Sequence, residues 1–203
     1  RNMETKQISL IEVTKENWLE VCRLSRTLTP DQRKCVADNV VSFAEAHFNP
    51  NAWYRAIALD NVPIGFVMVD TDFVADAKED NPCHFIWRFM IGSPWQGKGY
   101  GKQAMDILCD QYRRDGHHAL YLSCHTEEYG PLGFYLKYGF IDTGFMEDEE
   151  EVLKPAAWES FRAALCARSG GRWNPRIRLC CGATTGNRRE LLVDLGIRIG
   201  GFE

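Results

Sequence analysis

A chain of 203 residues, 45% hydrophobic and 12% aromatic, is long enough for one globular domain with a full core, or for one domain and an extension. No apolar run approaches the roughly 20 residues of a membrane-crossing helix, and no apolar signal region follows residues 1–6, so a cytoplasmic protein off the membrane is expected. The net charge of −4 divides unevenly, −8 over residues 1–154 and +4 over 155–203, and a body that acidic should repel nucleic acid and attract cations such as amines.

Residues 7–13 alternate around Ile8, Leu10 and Ile11 and predict a first strand. Thr14 is a candidate N-cap for a helix over 15–24, in which Trp18, Val21 and Cys22 stand at i, i+3 and i+4 and should face the core. Thr29 and Pro30 can open a second helix over 31–36, and a third follows over 41–48 until Pro50 stops it. Residues 54–59 and 63–70 read as strands joined into a hairpin by the Asp60-Asn61 turn. The polar, acidic stretch 71–82 should be a loop, and the apolar run 85–91 the next strand.

Then comes Gln96-Gly97-Lys98-Gly99-Tyr100-Gly101-Lys102, followed by a run in which Ala104, Ile107, Leu108 and Tyr112 share one helical face. Gly116 ends that helix, with Arg113 and Arg114 in its last turn, where the helix dipole favours cations. A glycine loop between strand and helix lets backbone N–H groups converge on an anion at a helix N-terminus. Lys98 and Lys102 add positive charge there, so the expected ligand carries phosphates. The spacing is neither the Gly-x-Gly-x-x-Gly of dinucleotide folds nor the Gly-Lys-Ser/Thr of a Walker loop, and a plain glycine-rich turn is the alternative.

Residues 119–123 predict another strand, 131–138 a short helix closed by Gly139, and 140–145 a further strand. An acidic run over 147–151 interrupts, Val152 and Leu153 begin a last strand, and Lys154-Pro155 should break it. The order of elements gives an α+β layer architecture, with one parallel strand–loop–helix–strand unit inside a mostly antiparallel sheet. The domain is expected over 1–154. In the extension over 155–203, Trp158, Phe161 and Leu165 suggest a helix, and the composition turns Arg-, Gly- and Cys-rich after Gly171. The eight cysteines form no C-x-x-C pair and are expected as free thiols. Cys124-His125 is a weak hint of nucleophile or metal chemistry, and no metal is expected.

The loop over 96–101 matches the pattern Gln/Arg-x-x-Gly-x-Gly/Ala. Downstream, Gly130-Pro131-Leu132-Gly133-Phe134-Tyr135-Leu136-Lys137-Tyr138-Gly139-Phe140 matches a helix and Gly-Phe turn found with it. Together they resemble the GCN5-related N-acetyltransferase (GNAT) superfamily. Asn17-Trp18, residues 36–39 and residues 87–91 are similar to the bacterial BltD-like spermine/spermidine acetyltransferase subgroup, over residues 7–153.

The resemblance implies a GNAT fold: a mixed central sheet of six to seven strands, helices on both faces, and a splay between the fourth and fifth strands. It implies acetyl-CoA as cosubstrate. The pyrophosphate would sit on the amides of Gln96, Gly97, Lys98, Gly99, Tyr100, Gly101 and Lys102, and the pantetheine arm would pair like an extra strand with Phe89, Met90 and Ile91. It implies direct attack by an amine in a ternary complex, with a backbone N–H near Phe89 or Met90 for the developing oxyanion. Tyr135 matches the tyrosine that protonates the departing thiolate, a core aromatic being its other reading.

Glu128 stands where the subgroup often carries an asparagine; Glu127 or Glu128 could pass the amine's proton through water, and His84 is a further candidate. Asp31, Glu45, Asp70, Asp72 and the run 147–151 could attract a polycation or be solvated faces. The expected activity is acetyl transfer to a primary amine of a small molecule, polyamines among the candidates. A non-catalytic acyl-CoA-binding or regulatory module is the alternative. The oligomeric state, a homodimer included, stays open.

Overall fold

The computed structural model of the protein describes residues 6–73, 83–117, 120–147 and 150–155. The expected loop beyond Phe73, over 74–82, and the expected extension over 156–203 lie outside the described residues. The chain opens with β1 (Ile8–Ile11), α1 (Trp18–Leu24), two 3₁₀ turns (Ser25–Thr27 and Gln32–Lys34) and α2 (Asn39–Phe48). β2 (Ala52–Leu59), β3 (Val62–Phe73) and β4 (Cys83–Ile91) follow. A third 3₁₀ turn (Ser93–Trp95) leads into α3 (Tyr100–Arg114), β5 (Leu120–Cys124), α4 (Leu132–Tyr138), β6 (Phe140–Glu147) and β7 (Glu150–Pro155). The seven strands form one sheet in the order β1-β2-β3-β4-β5-β7-β6. Of these neighbours β4 and β5 alone run parallel, so the sheet is the mixed α+β one expected.

The β2–β3 turn holds Asp60 and Asn61 at φ 51° and 66°, the left-handed pair that matches a two-residue hairpin to the twist of its strands. Several boundaries differ from expectation, each for a local reason. α1 begins at Trp18 because Thr14 N–H binds Asn17 Oδ1 at 2.8 Å and holds the preceding residues in a turn. Trp18, in the helix's first turn, is 48% exposed, while Val21 and Cys22 take the buried face. Residues 31–36 make only the 3₁₀ turn Gln32–Lys34. Thr29 and Gln32 cap one another, but Arg33 and Lys34 are exposed and give a longer helix nothing to bury. α2 starts earlier than expected, capped by Asp38 Oδ1 accepting from Val40 N–H at 2.9 Å.

β7 runs on through Lys154 and Pro155, where a break was expected. β5 pairs with β7 only as far as Leu153, so Pro155 has a ladder partner on one side, Phe140, a setting in which a strand tolerates proline. Much of the acidic run is strand too: Glu147 ends β6, and Glu150 and Glu151 open β7.

The sheet divides the core in two. On one face α3 lays Ala104, Met105, Leu108 and Tyr112 against Ile57, Val67, Ile86 and Leu120. On the other, Val21 and Leu24 of α1 pack with Leu28 on Ala56, Phe66, Met68 and Met90. Burying each of the larger aliphatic chains stabilises the fold by about 1.5–3 kcal/mol. Fully buried Asn39 ties α2 to α1, its Nδ2 donating to the Val21 carbonyl at 2.8 Å and its N–H to Ser25 Oγ at 2.9 Å. Cys22, Cys109 and Cys124 are buried free thiols, Cys83 is buried, and Cys35 is partly exposed. Among the described residues no helix is long and apolar enough to cross a membrane.

One irregularity shapes the functional region. β4 pairs with β5 over His84, Phe85 and Ile86 only, although β4 continues to Ile91 and β5 to Cys124. The register of β4 on β3 shifts between Ile86 and Arg88, which makes Trp87 an extra, bulged residue. A bulge bends its strand. Beyond it the two parallel strands splay apart.

Candidate active site at the splayed strands

Two clefts meet at this splay. The larger, about 1240 Å³, runs past Phe89, Met90 and Ile91 at the end of β4, then along Gln96, Gly97, Gly99, Gly101 and Lys102, with Phe134, Tyr135 and Tyr138 of α4 opposite. Of the expected cofactor-binding positions, Lys98 and Tyr100 fall outside this lining. Lys98 turns back to donate to the Pro94 carbonyl at 2.6 Å.

The loop has the build of an anion cradle. Gly97 and Gly99 take φ 72° and 81°, left-handed values that favour glycine, and a Cβ on either would meet nothing within 4 Å. Glycine therefore serves backbone shape and open approach here, not packing. The first bond of α3 runs from Gln103 N–H to the Gly99 carbonyl at 3.1 Å. The N–H groups of Tyr100, Gly101 and Lys102 thus head a 15-residue helix with no intrahelical acceptor. Their free donors and the helix dipole suit phosphate oxygens. Gln96 braces the loop, its Nε2 donating to the Ile91 carbonyl at 2.7 Å while its Oε1 accepts from Gln32 Nε2 at 2.8 Å. Lys102 lines the cleft, but a 2.8 Å ion pair with Asp106 offsets its charge. Acetyl-CoA fits these residues: a cradle for its phosphates, and a strand edge left open by the splay for its amides.

The smaller cleft, about 940 Å³, includes Phe73, Phe85, Trp87 and Arg88 with Ser123, Cys124, His125, Asp70 and Glu150. Cys35, Val36, Phe89, Pro131 and Tyr135 line both clefts. Its cations are largely neutralised, Arg88 by Glu45 and Lys34 by Asp31, both at 2.8 Å. Glu150 is held from two sides. Its Oε1 lies 3.1 Å from His125 Nε2, and its Oε2 accepts from the Ser123 hydroxyl. Nδ1 of His125 is 3.7 Å from Glu127.

Tyr135 is 5% exposed, on a helix ended by Gly139 at φ 121°. Burial pushes its phenol well above the ordinary tyrosine range, and the nearby Cys124 and Glu150 add to the rise, so the hydroxyl stays protonated. Burial likewise pushes the Cys124 thiol up to about 12, which makes it an inert thiol, not a nucleophile.

The other expected residues scatter. Glu128 is exposed and lines neither cleft; the tight turn closed by Gly130 N–H on the Glu127 carbonyl (2.7 Å) leaves it at a loop tip. Glu127 is exposed beside His125. His84 points to the α3 side of the sheet, its ring 3.9 Å from His117 and 4.9 Å from Tyr112. Burial first, and His117 second, lower its pKa. Asp70 lines the smaller cleft and accepts from Asn49 Nδ2 at 2.8 Å, while Asp72 lies outside it. Sequence reasoning missed the grouping of Ser123, His125 and Glu150. The Cys124-His125 pair was its one local signal, and the partner arrives from β7.

Residues 16–140 match the acetyltransferase (GNAT) family, more than half of the chain. Solved structures share the fold. An acetyltransferase from Thermus thermophilus superposes with a TM-score of 0.56 at 18% identity, over 73% of this chain and 94% of that one. The PaiA N-acetyltransferase from Thermoplasma acidophilum, in complex with coenzyme A, does so at 0.52 and 14%, over 73% and 98%. N-acetylglutamate synthase from Neisseria gonorrhoeae, complexed with coenzyme A and N-acetyl-glutamate, gives 0.53 and 14%, over 75% of this chain and 35% of that one. No curated protein matches the chain. The chain belongs to the acetyltransferase (GNAT) family, enzymes that take the acetyl group from acetyl-CoA.

Proposed function

We propose that this protein transfers the acetyl group of acetyl-CoA to a primary amine of a small molecule, both held together in a ternary complex. The observation that carries this reading is the meeting of the two clefts at Tyr135. One cleft offers a phosphate cradle and an open strand edge, the other carboxylates and aromatic rings. When bound, acetyl-CoA supplies an activated acyl group. The amides of residues 97–102 hold its phosphates, the edge at Phe89, Met90 and Ile91 aligns its amide arm, and a backbone N–H at Phe89 or Met90 faces the developing oxyanion. Tyr135 gives its proton to the departing sulfur.

The acids narrow the acceptor. Asp31 and Glu45 are committed to Lys34 and Arg88 and Glu150 is turned to Ser123 and His125, so few carboxylates face the smaller cleft, Asp70 among them. That small number suits an amine with one or two positive charges, and spermidine and spermine, with three and four, would hold charge outside the cleft. A panel of spermidine, spermine and aromatic and aliphatic monoamines with acetyl-CoA, read by free thiol release, tests the reading. Turnover of at least one amine above background hydrolysis is expected. Calorimetric binding of acetyl-CoA without turnover of any amine would overturn it and leave an acyl-CoA-binding module.

A further inference from the structure

We infer that His125 takes the proton from the incoming amine and that Glu150 positions it for that step, an assignment that rests on the proposed transfer to an amine. An amine arrives as an ammonium ion with no lone pair, so a base near the junction of the clefts is needed, and His84 and Glu128 both stand away from it. His125 follows the last residue of β5. The register Ser123↔Val152 and Cys124↔Glu151 brings it opposite Glu150 across the β5–β7 pair. Both line the cleft that Tyr135 closes.

The pair has the geometry of an oriented base. Glu150 accepts from the Ser123 hydroxyl through one oxygen, and its other oxygen makes a 3.1 Å ion-pair contact with His125 Nε2. With Nε2 at ion-pair distance from this carboxylate, a neutral imidazole that carries its proton on Nε2 keeps its lone pair on Nδ1. The nearest carboxylate to Nδ1, that of Glu127, is 3.7 Å away, too far to hold a hydrogen bond, so Nδ1 is free to accept a proton. The side chain is 29% exposed, enough to reach both an acceptor and solvent. An isolated surface ion pair would need no second support from Ser123, and would have no reason to sit in a cleft beside a buried phenol.

The step balances. The ammonium passes one proton to Nδ1, and the imidazolium so formed is stabilised by Glu150. The nitrogen lone pair forms the C–N bond, the C–S bond breaks, and the sulfur takes the hydroxyl proton of Tyr135. The second nitrogen proton restores Tyr135. His125 releases its proton to solvent past Glu127. One ammonium and one thioester become one amide, one thiol and one free proton.

The full chain is assayed with the best acceptor of the amine panel, spermidine being the first probe, as wild type, His125→Gln, Glu150→Gln and the double variant. His125→Gln should lose about 10²–10⁴ in kcat at neutral pH, with acetyl-CoA affinity by calorimetry unchanged. Its residual rate should climb with pH in proportion to the free amine, because solution must now supply the deprotonated acceptor. Glu150→Gln should lose less, and the double variant no more than His125→Gln alone, since Glu150 acts through the histidine. Imidazole added to His125→Ala should restore part of the rate. A His125→Gln enzyme with most of its kcat and the wild-type pH profile would overturn the base assignment, and additive losses in the double variant would overturn the positioning role. A wild-type enzyme that turns over no amine would instead sink the proposed transfer, a result readable apart from either.

Discussion

The acid role proposed for Tyr135 sets two requirements against one another. Burial keeps the phenol protonated and ready to donate, yet an acid that is harder to ionise is also a poorer donor. In water the gap between a phenol at about 10 and a thiol at about 8.5 makes proton transfer to sulfur only mildly uphill. Raising the phenol alone would widen that gap. Burial acts on sulfur as well: it is the main cause that pushes the neighbouring Cys124 thiol up to about 12. A thiolate released beside Tyr135 would meet a penalty of the same sign, which works against the widening. Tyr135→Phe keeps the ring against Phe134 and Phe140 and removes the hydroxyl that would donate the proton. Its kcat should fall by about 10²–10⁴, with melting temperature and acetyl-CoA affinity little changed. A Phe variant keeping most of its kcat, on an acceptor whose chemical step limits turnover, would leave Tyr135 as a packing residue.

At the scale of an element, α3 carries a conflict that one substitution exposes. Gly101 sits in its first turn, where an added Cβ would touch Ile91 at 3.6 Å and Phe134 at 3.7 Å, ordinary contacts that strain nothing. Gly101→Asp replaces a poor helix former and adds an anion at the positive end of the dipole, worth about 0.3–1 kcal/mol to the fold. The same carboxylate lies where phosphates would approach. The variant should therefore melt no lower than wild type yet bind acetyl-CoA more weakly by at least about tenfold, since each factor of ten is only ~1.4 kcal/mol. Gly101→Ala, which adds bulk without charge, should bind almost normally. Equal affinities for Asp and wild type in calorimetry would mean the loop is only a turn. This element was legible in the sequence because its signals are local: glycines, a helical stripe through Ala104, Leu108 and Tyr112, and basic residues at its end. The 31–36 stretch misled because Thr29 and Gln32 do form a cap, and only burial, which no local pattern states, decides whether a helix follows it.

At the scale of the whole molecule, the two halves of the candidate site differ in how they are assembled, and so in how much of them could be read. The donor half is one continuous stretch from Phe89 to Lys102 facing α4, and its motif announces it. The acceptor half draws on β4, the end of β5, the turn at Gln32–Lys34 and the start of β7. Glu150 looked like one charge in an acidic run until strand order put β7 beside β5. That same order makes a prediction about where the folding unit ends. β7 is not an edge strand: it lies between β5 and β6, with Val152 and Leu153 at 4% and 0% exposure. A chain ending at Glu149 would strip β6 of the strand that joins it to the sheet and leave β5 an open edge. Two buried aliphatic residues lost with it are worth about 2–5 kcal/mol each, against a typical total stability of about 5–15 kcal/mol. Such a chain should be insoluble or unfolded by circular dichroism. A chain ending at Pro155 retains every strand and helix from β1 to β7, and should stay soluble, melt within a few degrees of the full chain and bind acetyl-CoA with the same affinity. Loss of folding in that longer truncation would mean that residues 156–203 cover surface the domain cannot expose.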